Sequence, residues 1–155
     1  LSTYLDTSAL AKLYHQEAGS AFVEAILATN QPVFVSRLGV VEMHSVLSGK
    51  VRTKTLTQAD SDLARQRFRS DVRKRRFRII ALRSRHYELA DALIEAHGSA
   101  SALRTLDSLQ LAVALDLARN SLVAGFVTAD KTLLKVGPLE KLTCIDPESA
   151  TLSVP

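Results

Sequence analysis

Four acidic residues stand where strands give way to helices or in the first turns of helices: Asp6, Glu42, Asp107 and Asp130. Asp6 ends a short apolar run and opens DTSALAKLY. Glu42 lies in SRLGVVEMHSVL, just after the strand-like PVFVS. Asp107 lies in LRTLDSLQLAVAL, and Asp130 closes LVAGFVTAD. In an open parallel sheet the carboxyl ends of the strands share one edge, where ligands bind. Carboxylates gathered there repel one another unless a cation neutralises them. Hard oxygen donors suit Mg²⁺ or Mn²⁺. The expected chemistry therefore uses a divalent metal.

Capping explains part of this pattern. Asp6 and Asp130 each precede a helix, where Asp is a good N-cap. Glu42 and Asp107 near helix starts also suit the helix dipole. Capping does not explain four acids at one expected edge, nor why Glu42 and Asp107 sit within the apolar stretches VVEMH and TLDSLQLAV. A carboxylate buried there costs several kcal/mol unless it is paired or metal-bound.

The elements that would position these acids are readable. Strands are expected at Ser2–Leu5, Val33–Val35, Arg78–Ala81, Val123–Val127 and Thr143–Ile145. Helical spacing of apolar residues marks Thr7–Tyr14, Ala18–Ala28, Leu38–Val51, a segment opened by Thr57 and running to about Arg75, Ser84–His97, Thr105–Ala118 and Asp130–Val136. Gly98 is expected to stop the fifth of these helices and Gly137-Pro138 the last, with GSASA as a loop. Strands alternating with helices give an α/β domain with a mostly parallel sheet. A helical pair, residues 38–75, occupies the interval between the second and third strands. The 155 residues fit a single domain, 1–155.

Composition narrows the function classes. Hydrophobic content of 46% supports a core, and 23% charged residues do not suggest a disordered chain. No apolar run approaches the roughly 20 residues that span a bilayer, and no signal peptide is expected. The lone cysteine, Cys144, cannot form an internal disulfide, which suits a reducing cytoplasm. It reads as a small buried strand residue rather than a nucleophile. His15, His44, His86 and His97 lack zinc-ligand spacing. Ten of the 20 Lys and Arg fall within Arg65–Arg85, against one acid there, Asp71. Such a cluster suits a polyanion. Within it Arg73, Arg75 and Arg76 have two readings, a solvated helix face running into the following strand or a cradle for the polyanion's backbone leading toward the acids.

Other acid-bearing α/β sites fail on spacing. Asp6-Thr7-Ser8 lacks the second carboxylate of a haloacid-dehalogenase-type phosphatase, and RIIALRS lacks the phosphoacceptor Asp of a receiver domain. No P-loop, dinucleotide fingerprint or Gly-x-Ser-x-Gly elbow occurs. Metal-assisted hydrolysis of a phosphodiester remains, with carboxylates holding the ion and basic residues the nucleic acid.

The blocks LDTSALAKLY, VVEMHSVL, LRTLDSLQLAVAL and FVTADKTLLK, in this order, resemble the motif blocks of PIN-domain ribonucleases, and more narrowly the VapC toxins of toxin–antitoxin pairs. The resemblance runs from Leu5 to Lys135. It implies a three-layer α/β/α sandwich, a Mg²⁺- or Mn²⁺-dependent endoribonuclease, a homodimer and a VapB-type antitoxin. By position it makes Asp6, Glu42 and Asp107 the core metal ligands and Asp130 the fourth acid. Ser8 and Thr128 match hydroxyls that order the site, and Arg104 a basic position that contacts substrate phosphate or pairs with an acid. Asp116, nine residues beyond Asp107, falls about 900° round the helix, on the opposite face, and reads as surface. His44, two residues past Glu42, reads as outside the site. Two rivals stand beside the toxin reading: a noncatalytic RNA-binding module on this scaffold, and a housekeeping PIN nuclease of RNA processing. Intact acids argue against the first, because a binder gains nothing from negative charge facing phosphate.

Overall fold

The computed structural model describes residues 2–150. Five short strands, β1 (Thr3–Leu5), β2 (Val33–Ser36), β3 (Arg78–Ile80), β4 (Gly125–Val127) and β5 (Cys144–Ile145), pair in the order β3-β2-β1-β4-β5. Every pairing is parallel. The helices among the described residues are α1 (Thr7–Ala11), α2 (Ser20–Ala28), α3 (Arg37–Arg52), α4 (Gln58–Arg73), α5 (Ser84–Ser101), α6 (Thr105–Arg119) and α7 (Lys131–Leu139).

Strand alternation sorts the core into two halves. Tyr4, Phe34 and Phe126 point to one face, where they pack with α5, α6 and α7 residues such as Leu93, Leu111 and Leu133. Leu5, Val35 and Val127 point to the other, against Leu10, Val23, Met43 and Phe68 of α1–α4. Successive strand side chains point to opposite faces, so two apolar layers require helices on both sides. This is the three-layer α/β/α sandwich, with the α3–α4 pair inserted between β2 and β3 as expected. No helix is long and apolar enough to cross a membrane among the described residues.

Thr57 caps α4 as its sequence indicates, accepting the Asp60 N–H at 3.1 Å. Two stop signals are overridden. α5 runs through Gly98 to Ser101, so GSA and the following Ser are helical rather than a loop, and the left-handed turn comes at Ala102 (φ 54°). A glycine inside a helix costs only about 1 kcal/mol relative to alanine, and α5 keeps packing along α6. α7 likewise continues through Gly137-Pro138 to Leu139. Gly137 is needed there for space: a Cβ would stand 2.2 Å from Cys144 Sγ on β5. Burial pushes the Cys144 thiol up to about 11, which keeps it an inert packing group.

Candidate active site

Asp6 caps α1 directly after the central strand β1. It is 4% exposed, and donors surround its carboxylate. Oδ1 accepts from the Ala9 N–H at 2.9 Å and the Ser8 hydroxyl at 2.7 Å. Oδ2 accepts from the Thr128 hydroxyl at 2.8 Å. The two hydroxyls are themselves anchored: Ser8 Oγ accepts from Ala129 N–H at 2.8 Å, and Thr128 Oγ1 from Asp130 N–H at 3.0 Å. A closed net thus ties the start of α1 to the loop after β4. Asp130 caps α7, its Oδ1 accepting from Leu133 N–H at 2.9 Å.

Burial raises the Asp6 carboxyl to about 6. The bonds from Ala9, Ser8 and Thr128 oppose the rise, and the charge of Asp130 adds to it. Asp107, in the first turn of α6, is also raised, by burial first and by Asp130 second. Arg104, the N-cap residue of that helix, sets its Nε 3.3 Å from Asp107 Oδ2, and its side chain is 80% exposed. This is the one ion pair that any of the four acids makes among the described residues. Asp6, Asp107 and Asp130 therefore share a negative edge with little cationic relief.

Glu42 is held differently. Its Oε2 accepts from the Thr7 hydroxyl and from Gln110 Nε2, both at 2.6 Å. Gln110 Nε2 also donates to Thr7 Oγ1 at 3.0 Å, while its Oε1 accepts from the Tyr4 and Ser36 hydroxyls. Ser36 in turn caps α3 by accepting the Gly39 N–H at 2.8 Å. Gln110 thus fixes Glu42 and joins β1, β2, α1, α3 and α6. Sequence reasoning missed Gln110, Thr7, Tyr4 and Ser36. One signal was present: Gln110 interrupts the apolar run LQLAVAL, one helical turn after Asp107.

The donor set is carboxylate and hydroxyl oxygen, which fits a hard divalent cation. Among the described residues, however, no three Asp, Glu, His or Cys side chains form a ready-made metal cage. Four acids reach one side of the sheet without converging on a point.

The other sequence-derived positions separate. Arg73 ends α4, and Arg75 and Arg76 lie just before β3. Because β3 runs parallel to its neighbours, this turn is at the amino edge of the sheet, opposite the acids, so these arginines do not lead to the acidic edge. His44 packs its ring 5.9 Å from Phe68, and its Nδ1 faces Arg65 at 3.1 Å, away from the acids. Asp116 is not a simple surface residue. It pairs with Arg85 at 2.8 Å and bonds the Nε2 of the buried His86 at 3.0 Å. Nδ1 of His86 accepts the Arg83 N–H at 3.0 Å, so Nε2 carries the proton and donates to Asp116. The wheel angle correctly predicts a face away from Asp107 but cannot see the facing helix α5. Asp116→Ala is expected to destabilise by about 1–3 kcal/mol, because a buried N–H loses its acceptor. Urea unfolding checks this, and a change below about 0.5 kcal/mol would mean that the bond is immaterial.

The fold has counterparts among solved structures. No curated protein sequence matches the chain. Eleven solved chains do. FitAcB from Neisseria gonorrhoeae aligns with a TM-score of 0.66 at 14% identity, covering 96% of this chain and 99% of that one. Mycobacterium tuberculosis VapC20, a Sarcin-Ricin loop cleaving toxin, aligns at 0.63 and 17% identity, covering 87% and 95%. VapBC2 from Rickettsia felis, bound to a DNA fragment from its promoter, aligns at 0.60 and 17% identity, covering 94% and 98%. At such identities the likeness is one of fold. The PIN domain itself matches residues 3–138, a span that holds all four acids and every strand but β5, and the chain belongs to this family of nucleases.

Proposed function

We propose that the chain is a divalent-metal-dependent endoribonuclease of the VapC toxin type, acting in the cytoplasm as a homodimer restrained by an antitoxin. The observation that carries this reading is the shared negative edge: the charge of Asp130 acts on both Asp6 and Asp107, and among the described residues Arg104 alone pairs with any of these acids. Such an edge is a poor place for phosphate until a cation is present, and a good place for one afterwards.

Asp6, Asp107 and Asp130 would hold Mg²⁺ or Mn²⁺, with Glu42 offering the oxygen not engaged by Thr7 and Gln110. Mg²⁺ keeps much of its water and needs only one or two direct carboxylates, which suits acids that share an edge rather than a point. When bound, the ion lowers the pKa of water and offsets charge growing on phosphate oxygens. Ser8 and Thr128 keep the Asp6 carboxylate in one orientation. Arg104, largely in solvent, is free to swing from Asp107 to a substrate phosphate. The fold likeness to toxins supports the narrower assignment over a housekeeping nuclease. An antitoxin Arg or Lys set among the acids would relieve the same repulsion that the metal relieves.

The test combines cleavage and melting. Structured RNA should be cut in Mn²⁺ or Mg²⁺ and not in excess EDTA. Saturating metal at about 100 times its dissociation constant should add about 2.7 kcal/mol of stability. Cleavage that persists in EDTA would refute the metal mechanism.

A further inference from the structure

The arginine-rich segment forms a feature of its own. α4 closes with a left-handed turn in which Arg75 (φ 56°) donates its N–H to Val72 O at 3.1 Å and Arg76 to Asp71 O at 3.0 Å. Arg78 then opens β3, opposite Phe34 of β2. The first residues of these parallel strands mark the amino edge of the sheet. The acids stand beyond the opposite, carboxyl ends of the strands, as Asp6 does directly after β1.

Two recesses meet at this amino edge. One, of about 400 Å³, is lined by Arg67, Ser70, Lys74 and Arg76 beside Leu27 and Tyr14. The other, of about 260 Å³, shares Leu27 and Arg76 and adds Asn30, Gln31, Arg75 and Arg78. Five cations face two carboxylates, Glu24 and Asp71. Asp71 is already engaged by the Tyr14 hydroxyl at 2.8 Å and by Arg76 at 3.2 Å. Among the described residues, Arg67, Lys74, Arg75 and Arg78 are exposed and make no ion pair, Arg76 alone doing so.

The lining selects among polyanions. Protein partners bring and meet apolar side chains at the centre of an interface. Among the described residues, the exposed large apolar side chains Val41, Leu63, Tyr87, Leu106, Leu122 and Leu139 all lie elsewhere, and the larger apolar residues that line these recesses, Leu13, Tyr14, Leu27 and Val33, are half-buried or buried. Guanidinium forks instead match phosphate oxygens in pairs. Among the described residues, the one aromatic ring that lines the recesses, Tyr14, has its hydroxyl committed to Asp71 and packs edge-on to Phe68, so this lining offers no platform for stacking bases.

We infer that this amino-edge recess is a second RNA-binding surface, which grips the phosphodiester backbone of a substrate at a distance from the acidic edge, without reading sequence. The inference rests on the nuclease reading above and adds to it a requirement for RNA long enough to reach both edges.

The experiment measures binding of an unstructured RNA of about 30 nucleotides over a salt series, in the Asp6→Asn background so that the probe survives. The variant carries Arg67→Gln, Lys74→Gln and Arg75→Gly. Glycine suits the positive φ at position 75, so the turn is kept. Loss of three phosphate contacts should flatten the log–log salt slope by about two. The affinity advantage of the parent should then shrink roughly 15-fold between about 50 and about 200 mM salt. Arg67→Lys with Arg75→Lys should retain the slope, since the charges remain. Polyglutamate serves as the acidic-protein probe and should bind neither form. An unchanged slope in a variant of normal melting temperature overturns the inference, as does polyglutamate binding that needs the same three residues. A parent that binds no RNA at all would fail the nuclease reading itself, whereas an unchanged slope fails only this surface.

Discussion

Asp6→Asn is expected to abolish RNA cleavage while making the metal-free protein more stable at neutral pH. The two effects share one cause. Burial raises the Asp6 carboxyl from its ordinary value of 3.8 to about 6 in the folded chain. A carboxyl so raised binds its proton more tightly folded than unfolded. Between about pH 4 and pH 6 the native state therefore holds more protons, and stability falls as pH rises through that window. That difference between folded and unfolded carboxyl corresponds to roughly 3 kcal/mol lost by pH 7. The amide removes the charge and keeps the shape. Ser8 and Ala9 still have an oxygen to donate to, and the Thr128 hydroxyl can turn to accept. Thermal unfolding of both proteins in EDTA from pH 4 to 7.5 checks the prediction. The parent should lose stability across the window and the variant should lose less. Parallel pH profiles would show that the Asp6 charge is not strained in the fold. Added Mn²⁺ should raise the parent's melting temperature and leave that of the variant nearly unchanged.

Gln110→Leu is expected to be the most destabilising substitution near the site, by about 3 kcal/mol or more. The side chain is 3% exposed, and its amide is the common partner of Glu42, Thr7, Tyr4 and Ser36. Leucine fills similar space but leaves these groups short of partners. Each buried polar group so orphaned costs about 1–3 kcal/mol, more when it is charged. The losses are shared within one network and do not simply add. Glu42 should also lose its fixed orientation, so metal-dependent stabilisation should weaken even where the fold survives at low temperature. Denaturant unfolding with and without Mn²⁺ separates the two effects. A loss below about 1 kcal/mol would mean that the network is not what holds Glu42 in place.

Much of the frame is local and therefore readable from the chain. Alternating strand and helix patterns establish the α/β class and the inserted helical pair. Asp6, Thr57 and Asp130 reveal helix starts because capping depends on residues only three positions apart. The acid blocks are readable for the same reason: each lies at a fixed offset from its own strand or helix start. Local signals mislead where tertiary packing outweighs them, as at Gly98, which stays helical along α6, and at Gly137, which lets α7 run past β5.

Contacts between distant segments were decided only by the tertiary structure. Glu42 and Gln110 are 68 residues apart, and Asp116 and His86 are 30 apart. No period or cap relates such pairs, because each depends on which helix lies opposite. The arginines carry the same lesson. In the chain, Arg73, Arg75 and Arg76 form a basic run among acid-bearing blocks, yet a parallel sheet sends strand starts and strand ends to opposite edges. Sequence determined the charges and the helix ends on which they ride. The strand order β3-β2-β1-β4-β5 decided which charges face each other, because side chains interact through space and only the assembled sheet sets those distances.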